Sequence, residues 1–378
     1  MHPEVLIIGG GVIGLSIAKE LHKQGVRRIA LLEKGSCGKE ASWAAAGMLS
    51  PQVEANEPGA FFDLCCASRD LYPAFTDELL TETGIDTELD RTGTLYLSFN
   101  DNDTSEMHKR FEWQKSAGLE VEILSEDEIR YREPFISQDA RKALFFQNDW
   151  QVENRKLTSA LKRYAEMNGV DIRENTKVER LIVEHGSVVG ANTAGGRMTA
   201  DLTVVATGAW TSLIQVGDAE MPIKIEPVRG QIVAFRPEPR PVRHVICSSF
   251  GYLVPRMDGR LLAGSTSEKV GFDSLVTDAA TSSLKKMTCK IVPGMADLEI
   301  TDRWAGLRPY GADGLPVLGS VCGIDGLFVA TAHYRNGILL APMTAKLAAE
   351  KLVNGTDSDY FAIFGADRFH PRSISRSS

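Results

Sequence analysis

Apolar and polar positions along the chain mark out one element after another. Residues 4–8 read as a short buried strand, the run to about Gln24 as a helix, and residues 28–32 as a second strand that ends at Glu33. From residue 61 to 82, Phe62, Leu64, Cys65, Leu71, Phe75 and Leu79 recur mostly at helical spacing, the mark of a core-facing helix. Residues 91–99 alternate as a strand and run into a turn at Asn100-Asp101-Asn102-Asp103, with a helix through about Ala117. Ser125 and Glu128 have capping-box spacing, so a short helix starts there and stops before Pro134. Asn154 caps a helix whose Leu157, Ala160, Leu161, Tyr164 and Ala165 share one face.

The second half is richer in strand patterns. Residues 178–183, 188–192 and 202–206 read as strands, the first two separated by His185-Gly186-Ser187, and residues 228–234 as another. Residues 251–264 form a hairpin around Asp258-Gly259, and Arg236-Pro237-Glu238-Pro239-Arg240-Pro241 before it is a stiff exposed connector. A helix over 278–291, a strand over 304–309 and a buried strand over 326–331 follow. His333-Tyr334-Arg335-Asn336-Gly337 is the exit loop of that last strand, and residues 341–353 form a closing helix.

Within this pattern, Gly9, Gly10, Gly11 and Gly14 sit between a strand and a helix, the context that the G-x-G-x-x-G fingerprint requires. Gly9 lets the chain turn sharply, Gly11 lets backbone approach a pyrophosphate, and Gly14 lets the helix pack close to the sheet. Free N–H groups at the helix start then face the phosphates. Glu33, nineteen residues past Gly14, is placed to accept hydrogen bonds from both ribose hydroxyls of an adenosine, where a 2′-phosphate would be repelled. The fingerprint predicts dinucleotide binding and leaves NAD and FAD open, since both carry the same ADP half.

Two further stretches fit either backbone approaching a ligand or ordinary structure, a tightly packed helix turn in the first and a plain β-turn in the second. Ala41-Ser42-Trp43-Ala44-Ala45-Ala46-Gly47-Met48-Leu49 is dense in small residues, and Ser42 can cap a helix or touch a phosphate. Thr207-Gly208-Ala209-Trp210 ends a β-branched strand at the carboxyl edge of a sheet. The late strand, glycine loop and helix form a third dinucleotide-side element, so the first domain is expected to be discontinuous, with strand-rich excursions from it.

A length of 378 residues exceeds one hydrophobic core and predicts two domains. The net charge of −8, with scattered basic residues, argues against a nucleic-acid partner. No apolar run approaches the roughly 20 residues of a membrane span, and a first strand by residue 4 leaves no room for a signal peptide, so a cytoplasmic location is expected. Cys37, Cys65, Cys66, Cys247, Cys289 and Cys322 show neither C-x-x-C nor metal-ligand spacing and are assigned no chemistry; no metal is expected.

Four stretches taken together resemble one family. They are Gly9 to Gly14 with Glu33; Ala44-Ala45-Ala46-Gly47-Met48-Leu49; Trp304-Ala305-Gly306-Leu307-Arg308-Pro309 with Asp313-Gly314-Leu315-Pro316; and His333-Tyr334-Arg335-Asn336-Gly337-Ile338-Leu339-Leu340-Ala341-Pro342. In that order and spacing they resemble the D-amino-acid oxidase superfamily of flavoproteins, most closely its glycine oxidase branch of the thiamine pathway. The resemblance implies an α/β Rossmann-like FAD-binding domain in three segments (1–85, 149–222 and 304–366). It also implies an α+β substrate domain with a large antiparallel sheet (86–148 and 223–303) and leaves a polar tail over 367–378.

It also implies noncovalent FAD, since no cysteine aligns with the covalent attachment point of sarcosine oxidases. By this resemblance Val12 and Ile13 lie in the phosphate turn, Glu33 and Lys34 at the ribose, and Ala41 and Ser42 near the pyrophosphate. Ala46, Gly47 and Met48 lie beside the isoalloxazine, and Val178 meets the adenine through its backbone. Gly208 joins the cofactor side, and the loop of His333, Tyr334, Arg335, Asn336, Gly337, Ile338 and Leu339 closes over the flavin's pyrimidine side. The closing helix favours negative charge there.

On the substrate side, a guanidinium fork fixes a carboxylate in one orientation, and Arg308 stands at a strand end between Leu307 and Pro309. It matches the family's carboxylate arginine, Arg335 a second active-site arginine, and Tyr252 the substrate-side tyrosine. Met48 and Phe250 are expected to line the pocket. Phe250 replaces a polar residue such as histidine two positions before that tyrosine, which leaves glycine, sarcosine, D-alanine and D-proline open as substrates. None of these motifs places a histidine, glutamate or lysine over the substrate α-carbon as a proton base. The expected reaction is therefore hydride transfer from a neutral amine to flavin N5, with imine hydrolysis to a 2-oxo acid (glyoxylate from glycine) and ammonia or amine, while O2 becomes hydrogen peroxide. A sarcosine or D-proline-type oxidase or dehydrogenase is the alternative within the superfamily. A homotetramer is what the family implies.

Overall fold

The computed structural model describes residues 2–369, and the chain divides into two compact units. Among the described residues the first comprises 2–42, 158–227 and 308–369; the second comprises 43–157 and 228–307. Each is discontinuous in sequence. The expected boundaries at 85/86 and 148/149 fall inside the second unit, which takes the whole of 43–157. Of the tail expected over 367–378, residues 367–369 belong to a 3-10 turn, Ala366–Phe369, and residues 370–378 lie outside the described residues.

In the first unit, β1 (Val5–Ile8), α1 (Val12–Lys23) and β2 (Ile29–Leu32) form the opening strand–helix–strand. β1 pairs in parallel with β2, Val5 opposite Ile29, and on its other side with Leu202–Val205. Strand Asp171–Arg173 extends the sheet beyond β2, and Ile324–Thr331 extends it beyond Leu202–Val205, both in parallel. An antiparallel group led by Ser187–Thr193 and Val178–Glu184 continues the sheet. The central strands β1 and β2 are buried throughout, as strands covered on both faces must be, while the outer strand Asp171–Arg173 is largely exposed. Leu6, Ile8, Leu32, Val205 and Val329 pack in one core, and α1 lies against the closing helix, Gly337–Asn354.

The second unit is built on the sheet ordered Asp302–Gly311, Ile225–Phe235, Leu261–Gly264, Gly251–Pro255, Val245–Ser248, Thr94–Ser98, Lys142–Phe146 and Glu122–Leu124. The expected antiparallel sheet is in fact mixed: Val245–Ser248 runs parallel to Thr94–Ser98. Period-two alternation divides its side chains cleanly between two cores. Ala143, Phe145, Ile246, Leu253, Ala263 and Val233 face one, under helix Asp278–Ile291; Leu144, Phe146, Cys247, Tyr252, Leu262 and Ile232 face the other.

Local differences have local reasons. Asn100 caps a helix instead of opening a turn: its Oδ1 accepts from the Asp103 N–H at 2.9 Å, so the helix Asp101–Ser116 starts at once. The Ser125 capping box forms as expected. Asp258-Gly259 sits in a longer turn: the Arg256 N–H donates to the Arg260 carbonyl at 2.8 Å and the Gly259 N–H to the Arg256 carbonyl at 3.2 Å, so Met257 belongs to the turn as well. The short strand Met48–Leu49, paired with Trp150–Gln151, has no signal of its own in sequence. Among the described residues no helix is long and apolar enough to cross a membrane.

Candidate functional site

The nucleotide turn in the first unit is steric at two glycines and open at a third. Gly9 has φ +111°, and a Cβ there would lie 2.4 Å from the Ala206 carbonyl oxygen; one on Gly14 would lie 1.9 Å from the Gly9 oxygen. Both positions exclude any side chain. At Gly11 a Cβ would meet only Ser42 Oγ, at 3.3 Å, so this glycine keeps space open that the fold itself does not fill.

The sequence predicts free N–H groups at the helix start, and the structure differs at one of them: the Val12 N–H donates to Ser42 Oγ at 2.9 Å. That hydroxyl sits at the mouth of the turn, where Ala41 and Ser42 open the short helix Ala41–Ala44. Ile13 is buried in the first turn of α1.

Glu33 at the end of β2 is buried, and its carboxylate is fixed from two sides. Oε2 accepts from the Gly10 N–H at 2.8 Å and Oε1 from the Gly35 N–H at 2.9 Å. Each oxygen retains acceptor capacity for a hydroxyl, so the acid is oriented and still able to bind a ribose. The Thr176 N–H donates to the Glu33 carbonyl, which brings the start of strand Val178–Glu184, with the buried Val178, to this edge. Lys34 pairs with Glu40 at 2.7 Å and lies over the Trp210 ring.

The carboxyl ends of two neighbouring parallel strands are stitched together at Gly208. Its carbonyl accepts from Thr211 Oγ1 at 2.8 Å and from the buried Thr331 Oγ1 at 3.2 Å. Beyond Thr331 the chain turns through two non-glycine residues with positive φ, Ala332 at +58° and Tyr334 at +47°, a conformation that costs on the order of 1 kcal/mol per residue. The Tyr334 N–H is held by the Pro309 carbonyl at 3.0 Å, and its ring meets Tyr310 edge-on. The loop that carries the exposed Arg335 is therefore tied to the residue after Arg308, which is half-buried on its strand.

His333 is buried, with Nε2 3.0 Å from Thr344 Oγ1, and burial pushes its pKa down to about 3, so its imidazole is neutral near pH 7. Asn336, Gly337, Ile338 and Leu339 form the cap and first turn of the closing helix, whose dipole puts partial positive charge there.

In the second unit, Ala46 and Tyr252 belong to one core cluster, and Met48 packs against it. Gly47 has φ +71°, and a Cβ there would lie 2.0 Å from the Val152 carbonyl oxygen. The Val152 N–H donates back to the Gly47 carbonyl at 2.9 Å. The Tyr252 ring crosses Gly264 on the neighbouring strand, where a Cβ would lie 2.6 Å from its hydroxyl oxygen. Phe250, expected in the pocket beside Tyr252, packs on the other core, against Phe99 with ring centroids 5.2 Å apart. It lies in the hairpin turn, where its N–H donates to Ser248 Oγ, so strand alternation does not extend to it. Sequence reasoning missed Arg256, Gln151 and Val152 beside this segment: Arg256 donates to the Ala46 and Val152 carbonyls and to the Gln151 side-chain oxygen, contacts that leave no motif.

An oriented buried acid at the end of β2, an unfilled space at Gly11 and a helix start at the turn suit the ADP half of a dinucleotide. Comparison with known proteins identifies which one. The curated glycine oxidase of Pseudomonas aeruginosa is 33% identical over 94% of this chain and 96% of its own length. The bifunctional protein ThiO/ThiG of Synechocystis is 37% identical over 97% of this chain, which covers 54% of that longer protein. The crystal structure of glycine oxidase from Geobacillus kaustophilus superposes with a TM-score of 0.92 at 34% identity, over 97% of this chain and 99% of that one. The FAD dependent oxidoreductase (DAO) profile matches residues 4–351, and the chain belongs to that family, a flavoprotein whose cofactor is FAD.

Proposed function

We propose that this protein oxidises glycine, and other small amines and amino acids such as sarcosine and small D-amino acids, with dioxygen and water to a 2-oxo acid, ammonia or amine, and hydrogen peroxide. Glycine gives glyoxylate. The near-full-length likeness to glycine oxidases carries this reading. The likeness to a protein named ThiO/ThiG supports a place in thiamine synthesis, supplying the glycine imine for the thiazole.

Bound FAD supplies the two-electron acceptor that dioxygen reoxidises. The chain's own residues orient and stabilise. Arg308 receives the substrate carboxylate in its planar fork, and the Pro309–Tyr334 hydrogen bond keeps the Arg335 loop beside that strand. Tyr252 offers a hydroxyl on the substrate side, and Ala46, Gly47 and Met48 are the residues that would flank the isoalloxazine. The first turn of the closing helix, at Gly337 to Leu339, would favour negative charge on the flavin ring when it is bound. His333, neutral and bonded to Thr344, is a poor general base, which fits a reaction whose catalysis is orientation and electrostatics.

FAD is held noncovalently in this reading, and acid precipitation should leave the flavin in the supernatant. The free cysteines fit a cytoplasmic enzyme, and the family likeness supports a homotetramer, measurable by light scattering. The decisive experiment is a panel of glycine, sarcosine, D-alanine and D-proline read by peroxide release. Peroxide formed in stoichiometry with glycine consumed is the expected result. Turnover only with an artificial electron acceptor would replace the oxidase with a dehydrogenase.

A further inference from the structure

Arg256 is 3% exposed and follows directly on strand Gly251–Pro255, the strand that carries Tyr252. Its Nη1 donates to the Val152 carbonyl at 2.9 Å and to Gln151 Oε1 at 3.2 Å; its Nη2 donates to the Ala46 carbonyl at 2.8 Å and to Asn154 Oδ1 at 2.9 Å. Glu153 Oε2 lies 3.4 Å from its Nε and 2.9 Å from Arg260 Nη2. Gln151 is itself aimed by its Nε2, which donates to Asp90 Oδ2 and to the Pro255 carbonyl, each at 2.9 Å.

A buried guanidinium is costly unless its charge is paired and its donors are used. Here the charge is paired with Glu153, and three of the four acceptors, on Ala46, Gln151 and Val152, belong to one feature, the two-stranded pairing of residues 46–49 with residues 150–152. The fourth, on Asn154, lies just beyond it, and Nε makes no hydrogen bond among the described residues. Gly47 closes the arrangement: its missing side chain would strike the Val152 oxygen at 2.0 Å and Arg256 Nη2 at 3.0 Å. A lysine ammonium cannot reproduce a planar fork that serves four acceptors at once.

We propose that Arg256 is a positioning residue for the flavin: by holding the Ala46 and Val152 carbonyls it fixes the backbone of Ala46-Gly47-Met48, and it joins that segment to the strand that presents Tyr252. The inference rests on the reading that this segment flanks the isoalloxazine. It adds the element that sets the segment's place.

The test uses holoenzyme with Arg256→Met, which keeps the stem and removes the fork, Arg256→Lys, which keeps the charge, and Gly47→Ala as a probe of the segment itself. Three quantities are read well below the unfolding temperature: the rate of FAD release on dilution, the visible circular dichroism of bound flavin, and kcat against KM for glycine. For Arg256→Met the expected results are at least tenfold faster release, an altered flavin dichroism, and a tenfold or larger loss in kcat with KM within about threefold. Arg256→Lys should recover part of each, and if Arg256→Met is insoluble, a severalfold faster release in the lysine variant carries the test.

A merely structural arginine would lower the unfolding midpoint and leave release rate and dichroism unchanged, and that outcome overturns the proposal. If Gly47→Ala perturbs the flavin while both arginine variants do not, the segment is placed correctly and Arg256 is not what holds it. If none of the three perturbs it, the placement of the segment fails and the proposal goes with it, whereas wild-type glycine turnover is untouched by either result.

Discussion

Phe250 and Tyr252, separated by one glycine, point into opposite cores of the same sheet. Tyr252 faces the cluster of Ala44, Ala46 and Trp304, while Phe250 packs with Phe99 under the Lys290 ammonium, 3.4 Å from the ring centroid. Phe250 therefore belongs to the seam between the hairpin turn and helix Asp278–Ile291. Phe250→Ala should destabilise the fold by roughly 1–3 kcal/mol, at or below the low end for truncating a buried aromatic because Phe250 is only half-buried. It should leave KM for glycine within about twofold. Tyr252→Phe should do the opposite, raising KM with little change in a urea melt. A large KM effect of Phe250→Ala at unchanged stability would return this ring to the pocket.

Arg308 carries the substrate end of the proposed function. A charge-assisted bidentate hydrogen bond contributes about 1.5–3 kcal/mol, so Arg308→Ala should raise KM for glycine by roughly 10- to 150-fold. Flavin absorbance per protein should stay the same. Arg308→Lys should recover only part of the loss, because a point charge does not fix a planar carboxylate. Arg335, exposed on its loop, should matter less, with a severalfold effect for Arg335→Ala. Steady-state peroxide assays over a range of glycine concentrations decide both, and an unchanged KM in Arg308→Ala removes the carboxylate assignment.

Two glycines of the nucleotide turn separate folding from cofactor binding. At Gly14 a methyl group would collide with the Gly9 oxygen at 1.9 Å, so Gly14→Ala should lower the unfolding midpoint of the protein whether or not FAD is supplied. At Gly11 the same methyl would find only Ser42 Oγ at 3.3 Å, so Gly11→Ala should leave the far-ultraviolet spectrum and flavin-free stability near wild type. It should weaken FAD by tenfold or more, because it fills the approach to the pyrophosphate. Thermal melts with and without added FAD distinguish the two. Equal loss in both variants would mean that Gly11, too, is a packing glycine.

The opening unit was legible because its information is local. A glycine turn, an amphipathic helix and an acid at the end of the second strand lie within the first 33 residues, and β1, α1 and β2 form within a residue or so of the expected bounds. Strand pairings closed by residues far apart in sequence were not legible. Met48–Leu49 is too short to show a period, and its partner lies some hundred residues away at Trp150–Gln151. A family pattern two positions before Tyr252 assigns Phe250 to the pocket, and its packing against Phe99 follows from a local turn that such a pattern does not show. Arg256 reads as one more charge beside a hairpin turn until the carbonyls around it are known. Side-chain contacts to backbone carry no residue-type signature at the other end.

His333 makes stability on the acid side measurable. Its ordinary pKa of 6.5 is pushed down to about 3 by burial, while the unfolded chain retains the ordinary value. The unfolded state therefore binds a proton that the folded state refuses. The contribution is complete above about pH 6.5 and is lost as pH falls toward 3, with a slope approaching about 1.4 kcal/mol per pH unit. Carboxylates titrate in the same range, so the informative quantity is the difference from His333→Gln, whose amide can still meet Thr344 Oγ1 and carries no proton to refuse. In urea melts at about pH 7.5 and about pH 5, the wild type should lose more stability than the variant, by roughly 1.5–2 kcal/mol. Equal losses in the two proteins would place a water or a charge beside the imidazole and remove His333 as the source of acid sensitivity.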